Sequence, residues 1–102
     1  MLGLKEVSMT ILRIEHAVPN YDGWKKAFDS DPIGRKRSGV RRYQISRQTD
    51  DPNYVIIDLE FDKLGDAEAT LAALRKLWSQ VEGTVMVNPQ TRLSTIVETI
   101  EY

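Results

Sequence analysis

Hydrophobic and polar positions divide this chain into six segments with two different periods. From Met9 the chain reads "MTILRIEHAV", with Leu12 and Ile14 on one side of an extended backbone and Arg13 and Glu15 on the other. That alternation predicts a half-buried strand. Pro19 and Asn20 interrupt it, and Asp22 is the expected N-cap of a short helix on which Trp24, Ala27 and Phe28 share one face. Pro32 ends or kinks that helix, because the residue before a proline avoids the α region. After Gly39 the period returns to two: "VRRYQISRQ" sets Tyr43 and Ile45 against Arg42, Gln44 and Ser46. The turn-rich "TDDPN" leads into "YVIIDLEF", where Val55, Ile57, Leu59 and Phe61 form one apolar row opposite Tyr54, Ile56, Asp58 and Glu60. "KLGDAEATLAALRKLWSQVEG" predicts the longest helix, with Asp66 as cap, Gly83 as stop, and an apolar stripe through Leu64 or Ala67, Leu71, Leu74, Leu77, Trp78 and Val81. A loop containing Asn88 and Pro89 is followed by a fourth strand, "RLSTIVETIE".

Strand, helix, strand, strand, helix, strand is the split βαβ order. It predicts an α+β, ferredoxin-like βαββαβ fold: a four-stranded antiparallel sheet with two helices on one face. The second sheet face carries isolated apolar groups among Arg, Glu, Asp, Gln and Thr. Ile56 and an alternating apolar set on the last strand favour pairing of two such faces in a homodimer, a dimeric α+β barrel, over leaving them in water.

Composition narrows the picture further. A chain of 102 residues is one domain by length, here 1–102 with 1–8 as an N-terminal extension, and it buries only a modest core. Fourteen basic against fifteen acidic residues argue against a general nucleic-acid or acidic-membrane partner. Within that balance Arg35, Lys36, Arg37, Arg41, Arg42 and Arg47 crowd together, with no acid between Ile33 and Thr49. The absence of cysteine removes disulfides and thiolate sites, and one histidine cannot build a multi-histidine metal site, so no metal and no cofactor are expected. No apolar run reaches the ~18 residues of a membrane span, and a cytoplasmic protein is the default expectation.

The segments "RIEHAVPNYDGWKKAFD", Arg35, "GVRRYQISRQTDDPNYVIIDLEFD" and "DAEATLAAL" together resemble the dimeric α+β barrel superfamily. More narrowly they are similar to small antibiotic-biosynthesis-monooxygenase-like and cyclase-like proteins, with Asp22, Trp24 and Phe28 matching a D-x-W-x-x-x-F helix. The resemblance implies a homodimer with a ligand cleft in each subunit between sheet and helices. It further implies cofactor-independent oxygenation or cyclisation of an aromatic or polyketide-like substrate. The alternative is a non-catalytic ligand-binding or structural dimer module. A haem-degrading site is not evident, since no helix histidine is present to serve as axial ligand.

Five residues are candidates for a site. His16, where the first strand opens into a loop, is the candidate catalytic proton handler, against a partly buried histidine bonded to backbone. Trp24, Phe28 and Tyr43 are candidate walls for an aromatic substrate, though their spacing equally suits core, above all for Phe28 and for Trp78. Arg35, with Arg37 and Arg42, is a candidate anchor for a carboxylate or phosphate, against a solvated basic loop. Arg42 faces away from Tyr43, where Asp58 or Glu60 could pair with it. Those two carboxylates, about 7 Å apart along the strand, suit ion pairing at a dimer interface better than metal binding.

Overall fold

The computed structural model describes residues 9–81 and 86–102. The expected extension at 1–8, Gly83 as helix stop and the side chain of Val81 lie outside the described residues. The elements run β1 (Thr10–Ala17), α1 (Tyr21–Asp29), β2 (Val40–Gln48), β3 (Asp51–Phe61), α2 (Leu64–Val81) and β4 (Val87–Thr95). They form one antiparallel sheet in the order β2-β3-β1-β4, which is the ferredoxin-like fold.

Register explains why the sheet has one apolar face. Leu12, Ile14 and His16 of β1 stand opposite Leu59, Ile57 and Val55 of β3. Tyr43 and Ile45 of β2 extend the same row beyond Leu59 and Ile57. The row in the two central strands is buried, as are Phe61, Trp24 of α1, and Ala67, Leu71 and Trp78 of α2, so the core lies between this face and the helices. Burying each large apolar side chain there is worth about 1.5–3 kcal/mol.

Element ends depart from expectation in three places. Asn20, not Asp22, caps α1: its side chain accepts from the Gly23 amide at 2.8 Å, and its carbonyl starts the helical ladder at Trp24. Asp22 and Asp66 instead lie in the first turns of α1 and α2, where a carboxylate favours the positive end of the helix dipole. At the C-terminal side, β4 begins before Asn88 and Pro89 and stops at Thr95, so the predicted strand over 92–101 is displaced. β4 is an edge strand, which tolerates a proline that cannot donate to a ladder. Ile96 makes one last bond to Met9, and Val97, Ile100 and Tyr102 project from the sheet. The outer face of β4 therefore carries Gln90, Arg92 and Ser94 in place of the expected apolar set.

Three left-handed residues, Asp31, Gly34 and Gly39, shape the connection between α1 and β2. The helix ends before Pro32, and Asp31 adopts φ 51, outside the right-handed region that a pre-proline residue avoids. Gly39 has φ 103, and a Cβ there would lie 2.7 Å from the Asp66 carboxylate. Only glycine fits this return into β2.

Candidate ligand cavity

Between the apolar sheet face and the two helices is a cavity of about 330 Å³. Ile14, Ile57 and Leu59 line it from the sheet, Trp24 and Phe28 from α1, and Leu74, Leu77 and Trp78 from α2. Its rim includes the exposed turn at Ser30 and Pro32. The few polar groups on its wall are His16, Ser30, Asp31 and Arg35. A small apolar chamber with a few placed polar groups is the usual form of a ligand site.

His16 sits where β1 departs from regular pairing. The β1–β4 register slips between Glu15 and Ala17, so that Asn88 and Pro89 together face His16, with Asn88 at φ 52. Such two-against-one bulges bend a strand and re-aim a side chain. The imidazole is almost fully buried and meets the Trp24 ring edge-on, centroids 5.9 Å apart. Burial pushes its pKa below the ordinary histidine value, opposed in part by the nearby Ala17 carbonyl. Nδ1 lies 3.1 Å from that carbonyl oxygen. A carbonyl can only accept, so Nδ1 carries the hydrogen, and in a neutral ring Nε2 is then a bare lone pair. Among the described residues Nε2 has no hydrogen-bond partner. His16 lines the cavity, and its Nε2 is an acceptor that these residues leave unpartnered.

The aromatic residues of α1 form a continuous stack. Tyr21 lies 5.7 Å from Trp24, Trp24 lies 5.2 Å from Phe28, and Phe28 meets Tyr43 of β2 edge-on at 5.1 Å. Arg35 closes the series, its guanidinium 3.9 Å from the Phe28 centroid and 5.0 Å from that of Tyr43. Its Nη1 donates to the Phe28 carbonyl at 2.8 Å, and its amide donates to the Asp31 carboxylate at 2.8 Å. Phe28, Arg35 and Asp31 therefore fix one another, and Arg35 is not the solvated loop residue that its basic surroundings suggested.

Of the five candidates, His16, Trp24, Phe28 and Arg35 meet around the cavity. Tyr43 does not reach it. It stands on the edge strand β2, 44% exposed, with Phe28 and Arg35 packed on it from the cavity side. Trp78 lines the cavity although its spacing suggested simple core, and Leu74, Leu77, Met86, Ile33 and Asp31 line it as well. The apolar stripe of α2 was the available signal, since it faces the same sheet face as Trp24. Asp31 and Ile33 had no signal beyond Pro32, because the turn that places them depends on a left-handed residue. On the outer sheet face, Asp58 accepts two bonds from Arg13 at 2.8 and 2.9 Å, and Glu60 accepts from Arg42 at 2.6 Å. These carboxylates are paired within the chain, so they do not wait for a partner subunit. Among the described residues no cluster of three or more His, Asp or Glu is placed to hold a metal ion, and no helix is long and apolar enough to cross a membrane.

No protein-family model and no curated protein sequence matches the chain. Solved structures do match its fold. A variant of SnoaB, a cofactor-independent oxygenase from Streptomyces nogalater, superposes with TM-score 0.73 at 13% identity, covering 95% of this chain and all of the other. A Nitrosomonas europaea protein provisionally assigned as an antibiotic biosynthesis monooxygenase gives TM-score 0.67 at 16% identity, over 94% and 96% of the two chains. A dimeric ferredoxin-like protein from an uncultured marine organism gives 0.65 at 15%, over 91% and 99%. At these identities the likeness is one of fold: the chain is a ferredoxin-like α+β unit.

Proposed function

We propose that the chain binds a small aromatic or apolar molecule in the cavity between sheet and helices, with His16 receiving a proton from it. The observation that carries this reading is the buried His16, whose Nδ1 is held by the Ala17 carbonyl and whose Nε2 has no partner among the described residues, beside an apolar chamber walled by Trp24, Phe28 and Trp78. A ligand hydroxyl or acidic C–H set against that lone pair finds its acceptor with little water to compete, and the rings around it suit a flat, electron-rich molecule. Loss of the proton leaves an enolate or phenolate paired with imidazolium. Such an anion can pass electrons to dioxygen or attack an internal carbonyl, which is cofactor-independent oxygenation or cyclisation. The description of SnoaB as a cofactor-independent oxygenase supports the first.

A binding module without turnover is the second reading. Among the described residues the His16 ring is held by its neighbouring backbone carbonyl and the Trp24 ring, with no carboxylate on it. Titrating hydroxyaromatic compounds by tryptophan fluorescence while recording oxygen uptake separates the two, since both tryptophans line the cavity. The catalytic reading expects oxygen uptake that falls about 100-fold or more in His16→Asn with binding retained. Binding without uptake or rearranged product leaves the module reading, and no binding at all overturns both.

Self-association belongs to the same proposal. The outer sheet face brings Ile11 and Ile56 among the Arg13–Asp58 and Arg42–Glu60 pairs, and the marine neighbour is described as dimeric. Light scattering at micromolar protein should give twice the 11.7 kDa chain mass. A stable monomer would rule out a shared barrel.

A further inference from the structure

Arg35 borders two spaces. It lines the apolar cavity, and it also lines an open groove with Lys36, Gly39, Val40, Arg41, Arg42 and Tyr43. Ring contacts hold its guanidinium in one orientation, with only 16% of the side chain exposed. Of its three nitrogens, Nη1 is bonded to the Phe28 carbonyl and lies 3.5 Å from Asp31; among the described residues, Nε and Nη2 have no partner. A guanidinium in this state offers open N–H donors in a fixed plane, the form that takes a carboxylate.

Surrounding charge points the same way. Asp31 offsets Arg35, Asp62 lies 3.3 Å from Arg41, and Glu60 holds Arg42, while Lys36 has no ion pair among the described residues. The groove therefore retains an excess of positive charge beside the cavity mouth. Size limits what enters. A cavity of about 150 Å³ holds one benzene ring, so about 330 Å³ suits two fused rings.

We propose that the cavity's ligand is a ring compound of about this size carrying one carboxylate, with the ring system between Trp24, Phe28 and Trp78 and the carboxylate on the free N–H groups of Arg35, toward the basic groove. This rests on the reading of the cavity as a ligand site and adds the chemical class of its occupant. Arg35 is then a specificity-determining residue, and Lys36 strengthens the field around it.

The test compares 2-naphthoate with 2-naphthamide, which share a shape and differ in charge, by isothermal titration calorimetry on the full chain. Naphthoate should bind about tenfold more tightly at low salt, the scale of one charge-assisted contact. The gap should narrow as sodium chloride is raised and again in Lys36→Gln, whose exposed position keeps folding out of the comparison. Arg35→Lys, which keeps the charge and loses the planar fork, should retain only part of the preference. Equal, salt-insensitive affinities would overturn the carboxylate subsite and leave the cavity reading intact. No binding of either compound would overturn both.

Discussion

Replacing His16 by asparagine tests the protonation state on which the proposed chemistry depends. Asparagine retains an N–H that can donate to the Ala17 carbonyl, but it cannot titrate. In the wild-type protein burial holds the folded-state pKa of His16 below the ordinary value of 6.5. Above that value neither the folded nor the unfolded chain carries the proton, and His16 contributes no slope to stability. As pH falls through 6.5, the unfolded chain takes up a proton that the folded chain refuses. Stability is then lost at up to about 1.4 kcal/mol per pH unit until the folded-state pKa is reached. His16 is the only histidine, and ordinary carboxylates titrate lower, so the interval from 6.5 down to about 5 belongs to this residue. Urea unfolding of both proteins, followed by circular dichroism at stepped pH from about 8 to 5, gives the difference in which shared groups cancel. The wild type should lose stability relative to His16→Asn as pH falls. A flat difference, or a wild type that gains as pH falls, would mean that the folded ring is not held neutral, and Nε2 would lose its role as acceptor.

Trp24→Ala should cost about 3–5 kcal/mol in the same unfolding assay, because Trp24 is buried and touches His16, Tyr21 and Phe28; a loss below about 1 kcal/mol would mean that the aromatic stack is not packed as described. Gly39→Ala should cost about 1–3 kcal/mol through its backbone conformation and the approach of Asp66, and adding Asp66→Ala should recover part of the loss. Asn20→Ala should cost about 1 kcal/mol by removing the cap of α1, whereas Asp22→Ala should cost less.

The fold was legible because its two periods do not overlap. Strict alternation around Leu12 and Ile14 and around Val55 to Phe61 can bury only one face, and the Leu71, Leu74, Leu77 and Trp78 stripe needs a sheet to cover it. The ends were less legible because they are decided by single bonds. Asn20 and Asp22 both suit a helix start, and only the Gly23 amide chooses between them. Pro89 reads as a loop residue until β4 proves to be an edge strand with a bulge opposite His16.

The site was half legible for the same reason. His16, Trp24 and Phe28 could be placed on facing surfaces from periodicity alone. Whether those surfaces touch or enclose space depends on the gap between two helices, which no local pattern encodes. Arg35 looked like one of several loop cations, and its difference from Arg37 lies in the Phe28 carbonyl and two rings that a left-handed turn at Asp31 brings to it. Strand alternation sufficed to suggest Arg42 as a partner for Glu60, 18 residues away, whereas the Arg13–Asp58 pair spans 45 residues and depends on β1 lying beside β3.

The proposed site requires that the cavity accept a ring compound whose hydrogen-bond donor meets Nε2 of His16. A crystal structure of the protein with 2-naphthol tests it most directly. The rings should lie between Trp24, Phe28, Leu74 and Trp78, with the hydroxyl donating to Nε2. An empty cavity with naphthol bound elsewhere, or a hydroxyl turned away from His16 toward the mouth, would contradict it.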